Sequence, residues 1–255
     1  MSPAGTSESV DRRVLGGFVM VDAITNASVT SALSVTSTQL KLRANRSGIY
    51  AIFDAPGFSA LNTQFIPVTA QWPASAAAAP SFEVSVQDPT LRYLPRRAQV
   101  GAPQPLASLG TPQRVALYPS ASAGVALNWA VIRAAVTGSK GQGLPWAVVR
   151  ALKSDNSVAA TGVTDARGEA LLAVPGLGAQ ISDSGSGPVT VGTTAVTVQA
   201  WFDPSVLKQP AGWIPNPDDI LNIPGGLAAS ALPTGKTTGS ISATQVFFAG
   251  ITISV

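Results

Sequence analysis

Apolar and polar positions alternate along most of this chain. In "SFEVSVQ", Phe82, Val84 and Val86 are interleaved with Ser81, Glu83, Ser85 and Gln87, the period of two that turns one face of a strand to a core and the other to water. "AVTVQAWF" repeats the pattern with Val196, Val198, Ala200 and Phe202 on one side. "GGFVMVD", "QLKLRA", "GIYAIFDA", "FIPVTA", "EALLAV" and "ITISV" read the same way, each bounded by Gly, Pro, Asn, Asp or Ser. With 20 prolines and 24 glycines spread through 255 residues, helices have little room. The pattern predicts an all-β chain.

"AGVALNWAVIRAAV" has a helix-like density of apolar residues, yet it opens an internal repeat. "WAVIRA" at 129–134 returns as "WAVVRA" at 146–151. Val and Ile beside Trp favour a pleated surface, and in a strand Trp129, Val131 and Arg133 share one face. The Gly-rich "AVTGSKGQGLP" between the copies is expected to join neighbouring strands, with both tryptophans anchoring a core.

A longer repeat follows. "RANRSGIYAIFDAPGF" at 43–58 and "GVTDARGEALLAVPGL" at 162–177 each carry a polar turn with a glycine, an alternating run, and then Pro-Gly. Asn45 with Gly48, and Asp165 with Gly168, suit a turn in which a side chain caps backbone N–H groups and glycine takes the left-handed conformation. Each copy is expected to be the central hairpin of a small sandwich. Gly48 precedes Pro56 by eight positions and Gly168 precedes Pro175 by seven, so a bulge or register change separates the copies.

The second copy, with the Trp146 strand before it and the Val196 strand after it, resembles the carboxypeptidase regulatory-like (transthyretin-like) β-sandwich family over residues 126–203. "TDARG…PG" carries the likeness, and the chain departs from the family pattern at Leu177 and at residues 169–170. The resemblance implies an Ig-like or transthyretin-like sandwich and is silent on activity. The expected organisation is a tail at 1–11, one sandwich at 12–90, a Pro-rich connector at 91–125, a second sandwich at 126–203, and an extended arm at 204–255. "TAQWPASAAAAPS" reads as a loop in the first sandwich. The arm ends in "TQVFFAGITISV", a strand that either returns to a sandwich of its own chain or adds to a neighbour's sheet edge.

Composition narrows the chemistry. The chain has no cysteine and no histidine, which removes disulfides, thiolate sites, Cys-His and Ser-His-Asp catalysis and histidine-bound zinc. Thirteen carboxylates remain. The charged fraction is 11%, against an ordinary value of roughly 25%, which suits a surface packed in an assembly. Sixteen cations and a net charge of +3 are too thinly spread for a nucleic-acid face. The densest cluster, "LRYLPRRAQ", places Arg92, Arg96 and Arg97 around Tyr93 and reads as an interface-packed segment.

The opening residues lack the apolar core of a secretory signal, and no apolar run is long enough for a membrane span. Cytoplasmic assembly in a bacterium is expected, with release as part of a particle. "PTGKTT" imitates a phosphate loop but has Ser230 where the first glycine belongs. Asp218 and Asp219 suit a turn or helix start.

The leading expectation is a non-enzymatic structural protein with no cofactor and no metal. The order "LRYLPRRAQ", "ALYPSASAGVALNWAVIRAAV", "TDARGEALLAVPG" resembles proteins encoded beside phage-tail-like contractile injection systems, which implies tube, sheath, cap or baseplate subunits as partners. The candidate interface is Arg92, Tyr93, Arg96, Arg97, Trp213, Phe247, Phe248, Ile251, Ile253 and Val255. A carbohydrate-binding module using Trp72, Trp201 and Trp213 is the alternative. A carboxylate enzyme built on Asp54, Asp165 and Glu169 is the third reading.

Overall fold

The computed structural model describes residues 14–58, 79–176, 192–210, 212–243 and 245–255. The tail at 1–11, the "FIPVTA" strand, Trp72 and Leu177 lie outside them. The chain is all-β. Strands β1 (Gly16–Asp22), β2 (Ser34–Thr36), β3 (Lys41–Ala44), β4 (Ile49–Asp54), β5 (Ser81–Gln87), β6 (Arg96–Gly101) and β7 (Gln113–Leu117) form two sheets, ordered β3-β4-β1-β7 and β2-β5-β6. Strands β8 (Ala130–Gly138), β9 (Val148–Lys153), β10 (Val158–Val163), β11 (Glu169–Val174), β12 (Thr194–Trp201), β13 (Thr234–Ile241) and β14 (Val246–Ile253) form two more, ordered β11-β8-β14 and β10-β9-β12-β13. Among the described residues no strand of the first seven pairs with one of the second seven.

The alternation seen in the sequence builds both cores. Phe82, Val84 and Val86 of β5 meet Phe18 and Met20 of β1 and Ile52 of β4. Val196, Val198, Ala200 and Phe202 meet Ile132 of β8 and Leu172 of β11. Leu171 and Ala173, on the other face of β11, are buried as well. Leu171 packs with Ala123, Val125 and Val131, so the segment before β8 covers that face.

The two sandwiches share their wiring. In each, the first strand lies between the fourth, antiparallel to it, and the seventh, parallel to it: β4-β1-β7 and β11-β8-β14. The turn before the fourth strand is built alike in both copies. Asn45 Oδ1 accepts from the N–H groups of Ser47 and Ile49, both at 2.9 Å. Asp165 Oδ1 accepts from those of Arg167 and Glu169 at 2.8 and 3.1 Å. Gly48 and Gly168 follow at φ 76° and 83°.

The third strand is where the copies part. β3 pairs with β4, so the first repeat is a hairpin. β10 instead pairs with β9, and the second repeat turns a corner between sheets. The expected central hairpin is therefore corrected for the second copy. A tight turn after Lys153, closed by the Lys153 N–H donating to the Ser157 carbonyl and the Asn156 N–H donating to the Lys153 carbonyl, both at 2.9 Å, folds β10 straight back on β9. In the first sandwich the three-residue β2 pairs with β5 instead, and β3 with β4. Similarly, β8 and β9 lie in opposite sheets, so the Gly-rich link between the "WAV" repeats crosses the sandwich. Trp129 and Trp146 precede their strands and are half-buried rather than core anchors.

Two expected boundaries move. The stretch 91–125, read as a connector, supplies β6 and β7 to the first sandwich. Its alternation is hidden because an arginine holds an inward position: Arg96, Ala98 and Val100 all point into the fold. The stretch 204–255 is not an extended arm. After a 3₁₀ turn (Pro204–Lys208), helix α1 (Asp218–Leu221) and another 3₁₀ turn (Leu227–Ala229) cover Val148 and Trp201 on the outer face of the β9–β12 sheet through Ile220 and Leu227. The chain then adds β13 beside β12 and β14 beside β8. Of the two fates expected for the terminal strand, return to its own sandwich is the one observed.

Candidate functional site

Arg96 is the organising residue where the two sandwiches meet. It is 1% exposed, and a buried guanidinium is tolerated only with its donors satisfied and its charge compensated. Its Nε donates to the Arg97 carbonyl at 3.1 Å and Nη1 to the Ala116 carbonyl of β7 at 2.5 Å. Nη2 donates to Asn216 Oδ1 at 3.2 Å and to Asp218 Oδ2 at 2.6 Å. The last two come from the strap between β12 and β13, and therefore from the second sandwich's part of the chain.

Arg97 points the other way, as strand alternation requires, and holds the same strap. Its backbone N–H donates to the Pro215 carbonyl at 2.7 Å, and its Nε to the Ile214 carbonyl at 2.6 Å. Its Nη1 pairs with Glu83 at 3.1 Å, and the guanidinium lies 5.1 Å from the centre of the Trp213 ring, within cation–π range. Strap residues 213–218 thus run along β6 and cover an edge that would otherwise be open.

Tyr93 locks a neighbouring corner. Its hydroxyl donates to Asp22 Oδ2 at 2.8 Å, while Asp22 Oδ1 caps the turn after β1 through the N–H groups of Ile24 and Thr25. Burial, aided by the bonded Asp22 carboxylate, pushes the phenol up to about 12. Arg92 sits over the Tyr93 ring at 5.5 Å and is exposed. Asp88 closes the loop in which both lie. Its Oδ1 accepts from the Thr90 N–H and hydroxyl, and its Oδ2 from the N–H groups of Arg92 and Tyr93. Burial raises the Asp88 carboxyl, but these bonds outweigh it and hold the group below its ordinary range.

Beside this junction lies a cleft of about 760 Å³ whose walls include Leu91, Tyr93, Leu94, Trp146, Arg167 and Trp213. Leu91 and Trp146 adopt φ of 57° and 62°, a left-handed conformation that is unusual for bulky side chains. A second hollow of about 510 Å³ shares Tyr93 and is lined by Asp22, Arg92 and Trp129.

The structure brings Arg92, Tyr93, Arg96, Arg97 and Trp213 together, but mostly inside the chain: Tyr93 and Arg96 are buried. Ile251 and Ile253 are buried as well and belong to the core of the second sandwich. Phe247 packs partly against that core, its ring lying where β13 has Gly239 and no side chain. Phe248 and Val255 are left outward, at 73% and 40% exposure.

The aromatic platform of Trp72, Trp201 and Trp213 is not assembled. Trp201 is 4% exposed beneath Ile220, Leu227 and Leu232, and Trp72 lies outside the described residues. Asp54 lies in the first sandwich, paired with Lys41 at 2.9 Å, whereas Asp165 and Glu169 lie in the second, each paired with Arg167. Gly235 and Lys236 of the phosphate-loop imitation sit within β13, with Thr252 of β14 packed against the glycine. Among the described residues no group of three or more carboxylates is placed to hold a metal ion, and no helix is long and apolar enough to cross a membrane.

Sequence reasoning missed the strap's partnership with β6 and the role of Trp146. One signal was present for the strap: "PRR" and "PNPDD" carry complementary charge at two Pro-rich sites.

No family model matches the chain, and no curated protein matches it. Among solved structures it is similar to the Bacillus anthracis TIE protein, at 9% identity and a TM-score of 0.26, over 94% of this chain and 34% of that one. It is also similar to a Streptococcal ancillary pilin, at 8% identity and a TM-score of 0.25, over 84% of this chain and 50% of that one. This chain spans half or less of either structure. At these scores the likeness lends nothing to a functional conclusion.

Proposed function

We propose that this chain is a non-enzymatic structural subunit of a larger protein assembly. The Arg96–Arg97 clasp carries the reading: it bonds the strap of the second sandwich to β6 of the first and so ties the two together, as suits a building part. The exposed apolar side chains Phe248, at 73%, and Leu127, at 98%, supply contact area to neighbours. The repeated capped turn and the shared strand wiring support a carboxypeptidase regulatory-like origin for both sandwiches.

The sequence likeness to proteins of phage-tail-like contractile injection systems supplies the kind of assembly, with tube, sheath, cap or baseplate subunits as partners. Assembly then takes place in the bacterial cytoplasm. Native mass spectrometry of the purified chain, alone and with such particles, tests this. Self-association or particle-bound chain is expected; a strictly monomeric chain that never co-sediments with particles overturns it.

A further inference from the structure

We propose that the cleft between the two sandwiches binds a neutral carbohydrate chain. This goes beyond the structural role and stands or falls separately from it. The cleft lies at a junction between folded units, where ligand sites concentrate, and its volume of about 760 Å³ falls within the roughly 300–1,000 Å³ usual for such sites.

The charge balance selects the ligand class. Asp88 has both oxygens engaged by its own loop. Arg167 is held between Asp165 at 3.2 Å and Glu169 at 2.8 Å, and both Asp165 oxygens already accept hydrogen bonds. An anion therefore meets no free cation among these residues, and a cation meets no carboxylate oxygen that is not already bonded. What the walls offer is aromatic and aliphatic surface from Trp146, Trp213 and Leu91, with polar groups of Ser34, Gln87 and Arg167 beside it. A sugar ring matches that arrangement, with its C–H face for an indole and its rim of hydroxyls able both to donate and to accept.

The backbone gives an independent pointer. Leu91 and Trp146, two bulky residues with φ of 57° and 62°, both line this one cleft. Conformations of this cost persist where the surroundings enforce them, and they gather at ligand-holding sites.

The experiment is titration of the full chain with chitotriose, cellotriose and maltotriose, and separately with a polyproline peptide, following tryptophan fluorescence. Saturable quenching by at least one trisaccharide is expected, weakened by about tenfold or more in Trp213→Ala, as for an anchoring aromatic. Because Trp213 also meets Arg97, a second variant is needed. Ala166→Arg, on an exposed turn in the cleft wall, is expected to weaken binding while leaving the unfolding temperature unchanged. The proposal is overturned if no trisaccharide saturates, if Ala166→Arg binds as tightly as the parent chain, or if the polyproline peptide alone saturates the cleft.

Discussion

Arg96 and Asp218, 122 residues apart in sequence, meet at 2.6 Å with one partner buried and the other partly in water. The asymmetry makes their removal unequal. Asp218→Ala strands a buried cation and is expected to cost about 3 kcal/mol, whereas Arg96→Met removes the charge at similar length and should cost nearer 1 kcal/mol. Urea unfolding of both variants checks the order. Equal losses would mean that the other acceptors of Arg96 suffice to hold its charge.

The repeated turn makes a paired prediction. Gly168→Ala adds a methyl 2.5 Å from the Val136 carbonyl and 2.7 Å from the Leu144 nitrogen, on a backbone at φ 83°. It is expected to cost roughly 3 kcal/mol or more, since strain and collision add. Gly48→Ala comes no nearer than 3.1 Å to the Val29 carbonyl, with Thr30 at ordinary contact distance, and about 1–2 kcal/mol is expected, chiefly from the backbone. Denaturant midpoints of the two variants distinguish them.

Alkaline pH should destabilise the fold through its phenols. All three tyrosines, Tyr50, Tyr93 and Tyr118, are held above their ordinary value, with burial the leading cause. A raised folded-state value favours the neutral phenol, so its contribution is intact below about pH 10. For Tyr93 it is lost as pH rises from there through about 12. Tyr93→Phe should flatten that part of the stability profile, measured by unfolding at a series of pH values.

At acid pH the sign reverses. The depressed Asp88 carboxyl stabilises the fold above its ordinary range, and that contribution disappears as pH falls through the lower folded value. Asp88→Asn is expected to be less stable than the parent near neutrality and to show a shallower loss below about pH 4. Unfolding midpoints between neutral and acid pH read the difference.

Phe248 tests the assembly role. It is 73% exposed on the edge strand β14, so Phe248→Ser should leave stability within about 0.5 kcal/mol of the parent. Particle association, read by co-sedimentation, should fall.

Much of this fold could be read from residue order because its cores follow strict alternation. β5 and β12 bury the side chains that their period marks. The capped turns were readable too, since Asn45 and Asp165 each sit three residues before the glycine they serve. β6 was not, because its inward row starts with Arg96, and a buried arginine makes sense only with Asn216 and Asp218 in view. The corner at β10 was hidden for a related reason. β10 folds back on β9 through the tight 153–157 turn, a pairing that the alternation of Val158–Val163 does not announce. The cleft was illegible because Leu91, Trp146 and Trp213 are far apart in sequence and converge only when the strap is seated.

The parallel contact of first and last strands, β1 with β7 and β8 with β14, governs how the protein bears load. Drawing the two ends of either sandwich apart slides these neighbours along each other, so the hydrogen bonds between them are strained together rather than peeled one at a time. Pulling on the ends of such a chain is therefore expected to load each sandwich in shear.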